Sequence, residues 1–152
     1  MLDALQSSWL AGVISESPLA TASLSSVHLL GFTVVMGSAV LCSLHLLGLL
    51  LTEHPTAALV RPATRALIAG LCLSVVTGVL LVLPRASSAA MNPTFRLKML
   101  LLVVGVLLHA VVVSSLAGKP DVGVWTRRLS GLASLVVWAG VAVAGCAFIL
   151  LE

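Results

Sequence analysis

From Val27 to Leu51 the chain reads VHLLGFTVVMGSAVLCSLHLLGLLL, without a single Lys, Arg, Asp or Glu. An α-helix rises about 1.5 Å per residue, so some twenty such residues cross the ~30 Å of hydrocarbon in a bilayer. Three further apolar runs follow, at about 65–83, 97–116 and 129–151, and the pattern predicts four membrane spans. The polar punctuation between them is made of helix breakers. Thr52-Glu53-His54-Pro55 ends the first span, and a loop holding Arg61-Pro62 reaches to Thr64. Pro84-Arg85 closes the second span. The small polar stretch ASSAAMNP then leads to Asn92, a good N-cap, and Pro93, suited to the first helical position. Ala117-Gly118-Lys119-Pro120-Asp121 stops the third span, and Trp125 with Arg127-Arg128 marks the interface before the fourth. Ahead of all four, residues 2–16 put Leu2, Leu5, Trp9 and Val13 on one side of a helix and Asp3, Gln6, Ser7 and Glu16 mostly on the other. That is the pattern of a short amphipathic helix lying in the interface, ended by Ser17-Pro18.

The expected fold is all-α: an integral membrane up-down four-helix bundle with a short N-terminal amphipathic interfacial helix, residues 1–152 forming one membrane domain. Lipid tails are as apolar as leucine, so small residues that admit close backbone approach must hold such helices together. Gly70, Ser74 and Gly78 form a four-residue stripe on span two. Gly31, Gly37, Ser38 and Gly48 supply small positions on span one, and Gly140 and Ala144 do so on span four. One such stripe is free to serve contact with another membrane subunit or a second copy in a homo-oligomer.

Composition sharpens this picture. Of 152 residues, 60% are hydrophobic and only 9% charged, against about 25% charged in soluble domains. The net charge of +3 is scattered over loops and span ends, which is membrane topology and excludes a nucleic-acid footprint. The loops after spans one and three carry Arg61, Arg65, Lys119, Arg127 and Arg128, and the opposite side carries Arg85, Arg96 and Lys98. The excess favours the first set as cytoplasmic and both termini as periplasmic, in a bacterial inner membrane. The N-terminus has no basic n-region, so insertion is expected to rely on the spans themselves.

The chain carries no soluble-enzyme signature: no phosphate-cradling glycine loop, no paired carboxylates, no Cys-x-x-Cys. Its acids, Asp3, Glu16, Glu53, Asp121 and Glu152, sit at ends and in loops, which disfavours a midplane proton pump or secondary transporter. The histidines are the remaining chemistry. His45 and His109 fall at similar depths in spans one and three, diagonal in an up-down bundle, with Gly48 and Gly105 within one turn. That spacing suits two axial ligands of a haem b, whose propionates would pair with rim Lys or Arg. The alternative for both rings is hydrogen bonding inside a packed bundle. A second metal reading adds Cys42, one turn before His45, and Cys72 of span two, as a soft-ion set. His28 lies near the outer interface, either as a hydrogen-bonder or as part of an outer site with Met36 or Arg96. His54 reads as a solvated loop residue. Cys42, Cys72 and Cys146 all lie in apolar runs, which argues against a disulfide framework.

Several short motifs carry a family resemblance. They are His28-Leu-Leu-Gly31, Leu44-His45-Leu-Leu-Gly48, Asn92-Pro93-x-Phe95-x-x-Lys98, and Ser134-Leu-x-x-Trp138 followed by Gly145. Together they resemble an uncharacterised family of small four-span bacterial membrane proteins, similar in layout to cytochrome b561-like and copper-resistance D-like proteins. The family pattern has Asp-Leu-Arg-Leu-Leu-Gly where this chain has Ser43-Leu44-His45, and Gly-Arg where it has Gly145-Cys146. The resemblance therefore points to His28 as the shared histidine. It implies a membrane fold and adds to the haem expectation by analogy of layout alone. Three functions stand open at this point: a b-type electron-transfer subunit, an accessory subunit without chemistry of its own, and a small metal or solute permease.

Overall fold

The computed structural model describes residues 6–116 and 122–150. Residues 2–5 of the amphipathic segment, together with Lys119, Asp121 and Glu152, lie outside the described residues. Among the described residues six α-helices follow one another: α1 (Trp9–Glu16), α2 (Pro18–Leu47), α3 (Thr56–Val82), α4 (Ala86–Met91), α5 (Pro93–Leu116) and α6 (Val124–Leu150). A 3-10 turn, Leu83–Arg85, joins α3 to α4. Four of the helices, α2, α3, α5 and α6, are long and apolar enough to cross a membrane. The chain is a multi-pass integral membrane protein in fold class.

Helix ends differ from the sequence expectation at both ends of span one and at the starts of spans two, three and four, the last two at Pro93 and Val124 rather than near 97 and 129. Span one begins at Pro18 rather than near Val27, because Ser17 accepts a hydrogen bond from the Ala20 N–H and Pro18 supplies a preset first turn. It ends at Leu47 rather than Leu51, because Gly48 adopts the left-handed conformation, φ +77°, and the Leu49 N–H reaches back to the Leu44 carbonyl at 3.0 Å. That is a glycine C-cap, which satisfies carbonyls the helix leaves open. Span two begins at Thr56, not Arg65, with Pro62 inside the helix. The stretch 84–91, expected as a loop, is instead a 3-10 turn and a short helix. The Asn92 cap is as predicted: its Oδ1 accepts from the Thr94 and Phe95 N–H groups at 2.8 and 3.3 Å.

The long helices pack by close backbone approach. A Cβ on Gly70 would lie 2.7 Å from the Gly31 carbonyl oxygen, and one on Gly31 would lie 2.7 Å from Ser74 Oγ. α2 and α3 therefore cross with almost nothing between their backbones. α2 meets α6 in the same way at Gly131, where a Cβ would stand 2.9 Å from the Ser43 carbonyl. Trp138, fully buried, anchors the centre with Val35, Ala39, Leu67 and Val141. Around the bundle, α2–α3, α2–α6 and α5–α6 are broad contacts, whereas α3 and α5 barely touch. One of the four seams is thus sparsely packed.

The N-terminal helix folds back over one end. α1 buries Ala11 and Ile14, while Trp9, Leu10 and Val13 face outward. Thr21 Oγ1 donates to the Ile14 carbonyl, and Gln6 Nε2 donates to the Pro84 carbonyl at 3.0 Å. The face expected to lie on lipid is outward here, and the opposite edge is fixed to the protein.

Candidate functional site

The two ends of the bundle hold different chemistry. Where α3 ends and α5 begins, three helices converge on His28. Its Nδ1 lies 2.9 Å from the Ser74 carbonyl oxygen and 3.1 Å from Thr77 Oγ1. A carbonyl can only accept, so Nδ1 carries the proton. The Thr77 hydroxyl donates to the Leu73 carbonyl at 2.7 Å, which leaves its oxygen free to accept as well. The tautomer follows: Nδ1–H is doubly held, and Nε2 presents a bare lone pair with no partner among the described residues. The ring lies flat over Gly78, where a Cβ would come within 3.0 Å of His28 Cε1.

Lys98, half-buried on α5, reaches towards the same place. Its Cε and Nζ run 3.5 Å from the Cβ position of Gly145 on α6, so the absent side chain there makes the groove for the lysine stem. Its charge acts on His28. No acceptor for its ammonium is found among the described residues. Thr77 is five residues from the end of α3 and Lys98 five from the start of α5, which places the pair about 8 Å inside the helix ends. A lysine stem at that depth still reaches towards the interface while its ammonium stays beside the protein. His28, Lys98 and Gly145 come from three different motifs in the sequence and meet here.

His45 and His109, the two expected axial ligands, make hydrogen bonds inside the bundle. His45 stands in the last turn of α2, at the opposite end of the bundle from His28. Its Nδ1 donates to the Leu50 carbonyl at 3.2 Å and its Nε2 accepts from Thr56 Oγ1 at 3.3 Å. Both ring nitrogens are thereby satisfied, and the ring closes the α2–α3 loop. His109 Nε2 pairs with Thr64 Oγ1 at 3.0 Å across the sparse α3–α5 seam. Thr56 and Thr64 are eight residues apart on one helix, so the two rings sit at levels about 12 Å apart. The structure does not bring His45 and His109 together across a common plane. Gly48, expected beside a porphyrin edge, is a helix cap, and the space at Gly105 is filled by the Trp138 indole at 3.4 Å.

The thiol alternative is not assembled either. Cys42 is buried against Val60 and Ala63, and Cys72 is exposed nine residues beyond Ala63 on α3, about 14 Å further along. Among the described residues no group of three or more His, Cys, Asp or Glu is placed to hold a metal ion. Met36 packs against the central core, and Arg96 Nε donates to the Ala90 carbonyl at 2.8 Å. His54 is exposed, as expected of a loop residue. In the sequence Lys98 stood only in a short motif and among the cations of one side, without a role in a site. The signal was available in its spacing from Asn92-Pro93, which fixes it more than one turn inside the helix.

Comparison with known proteins adds one finding. The model of a family of unknown function covers residues 10–150. No curated protein and no solved structure matches the chain.

Proposed function

The chain belongs to DUF6644, a family of unknown function, and from that premise we propose that it is a membrane subunit whose His28–Lys98 pair receives the head group of a lipid-soluble redox carrier of the quinol class. The observation that carries this reading is the fixed tautomer of His28. With Nδ1–H held by Ser74, Nε2 accepts a hydroxyl proton in a hydrogen bond, and the Lys98 ammonium donates to an oxygen of the same head group. The sparsely packed α3–α5 seam gives such a ligand a lateral way in from the bilayer, with its apolar tail left in lipid. The role is binding and orientation; the electron-transfer partner is another membrane subunit.

One observation also favours a haem b on His28 as a second reading. Metal-bound imidazoles usually donate their other ring N–H to a carbonyl, as this one does. His28 Nε2 would hold the iron, Lys98 would pair with a propionate, and the haem would supply one-electron transfer when bound.

A single preparation separates these readings. The protein is expressed with ample haem, purified into lipid nanodiscs, and its oxidised and reduced absorption spectra are recorded. A short-chain quinol is then titrated against the tryptophan fluorescence. The expected result is no Soret band and saturable quinol binding, weakened about tenfold or more by His28→Ala or by Lys98→Met, the scale of one charge-assisted hydrogen bond. A Soret band lost in His28→Ala selects the haem reading. A Soret band that survives His28→Ala but disappears in His45→Ala or His109→Ala overturns both and returns the ligands to that pair. Neither a band nor quinol binding removes the redox role altogether.

A further inference from the structure

The end of the bundle away from His28 holds a polar pocket of about 180 Å³, several times the ~30 Å³ share of a liquid water. Thr52, His54 and Thr56 from the α2–α3 connection line one side, and Arg127 and Arg128 from the first turn of α6 line the other. Among the described residues its lining includes no carboxylate. Arg127 Nε is buried and has no acceptor among the described residues. The rest of the guanidinium carries its full charge beside the pocket, where an anion would pair with it. Two helix N-termini open on the same space. α3 starts at Thr56 with Pro55 at its cap and no side-chain cap bond, and α6 starts at Val124. Each presents the positive end of a helix dipole, and the first turn of α3 has no side-chain cap.

We propose that this cavity is a phosphate site, with Arg127 and Arg128 as its cationic clamp and the Thr52 and Thr56 hydroxyls as further hydrogen-bonding groups. Phosphate offers the tetrahedral set of acceptors that a planar guanidinium fork and a helix N-terminus both match. At a membrane boundary the group arrives either as the head of an anionic phospholipid or as free phosphate. The site is separate from the His28–Lys98 pair and does not depend on the ligand bound there.

The test uses the full chain in nanodiscs of phosphatidylcholine alone. Dioleoyl phosphatidylglycerol is added in one arm and inorganic phosphate in the other, and thermal stability and native mass spectra are read in each. The expected result is retention of one to two phosphatidylglycerol molecules with a raised melting temperature, lost in Arg127→Gln and unaffected in Arg61→Gln, an exposed cation outside the cavity. Stabilisation by inorganic phosphate alone, with the same dependence on Arg127, assigns the free ion as the source. Should Arg127→Gln fail to fold, Arg128→Gln and Thr52→Val are each expected to weaken the same binding. No response in either arm, or an equal response in Arg127→Gln and Arg61→Gln, overturns the proposal.

Discussion

His45 and His28 show how one residue type takes opposite roles according to where its helix ends. His45 falls three residues before Gly48, and the left-handed cap at that glycine turns the chain so that the Leu50 carbonyl comes back onto the ring. With both nitrogens bonded, His45 stabilises the hairpin and offers nothing to a ligand. His45→Phe should therefore lower stability by about 1–3 kcal/mol, the penalty for leaving buried partners unpaired. Quinol binding at His28 should be unchanged; equilibrium unfolding in a denaturing detergent series, alongside the fluorescence titration, checks both halves. His28 is the reverse case, with one nitrogen pinned and one open. ¹⁵N spectra of histidine-labelled protein should show it as the Nδ1–H tautomer, and Thr77→Val should leave that assignment intact because Ser74 still accepts. These candidate residues could be picked out in the sequence, but their bonding could not. Depth counted from an assumed span end put His45 near His109, and only the cap at Gly48 corrects it. A glycine followed by Leu-Leu-Leu-Thr-Glu was a readable stop signal; Thr56 and Thr64 as partners were not, because hydroxyl pairing across helices leaves no periodic trace.

At the scale of the helix, the four spans and the small-residue stripe on span two were legible, since apolar run length and four-residue spacing are direct statements of physics in lipid. Gly70 and Ser74 of the stripe meet Gly31, as that logic requires, while Gly78 serves a different end by flooring the His28 ring. Gly37 of span one has no neighbour within 4 Å and takes no part in the crossing. Helix starts were read less well. Pro62 looked like a loop residue, yet α3 begins six residues earlier and carries it within. The stripe itself gives a sharp expectation. Gly70→Ala places a methyl 2.7 Å from a backbone oxygen that no rotamer change can move. It should destabilise the α2–α3 pair by about 1–3 kcal/mol, the usual cost of overpacking, while Gly37→Ala should cost almost nothing. Parallel unfolding titrations of the two variants decide it, and equal losses would refute the crossing.

For the whole molecule, what matters is that the bundle has two unlike ends and one sparsely packed seam. One end holds His28 and Lys98 under the folded-back α1, and the other holds Arg127, Arg128 and the loop closed by His45. The basic residues Arg61, Arg65, Arg127 and Arg128 gather at the second end, and the positive-inside tendency predicts that this end faces the cytoplasm. The orientation then fits both proposed ligands. Anionic lipid is met by the arginine cavity in the leaflet whose surface potential favours it, and the His28–Lys98 pair opens towards the far leaflet. Single cysteines in a background lacking Cys42, Cys72 and Cys146 test this arrangement. Ser88→Cys, at the His28 end, should react with a membrane-impermeant maleimide in intact cells. Glu53→Cys, at the arginine end, should react only after permeabilisation; both positions are exposed. The opposite labelling pattern would put the arginine cavity outside the cell and the His28–Lys98 pair inside, and with it would go the link between anionic lipid and the site that Arg127 forms.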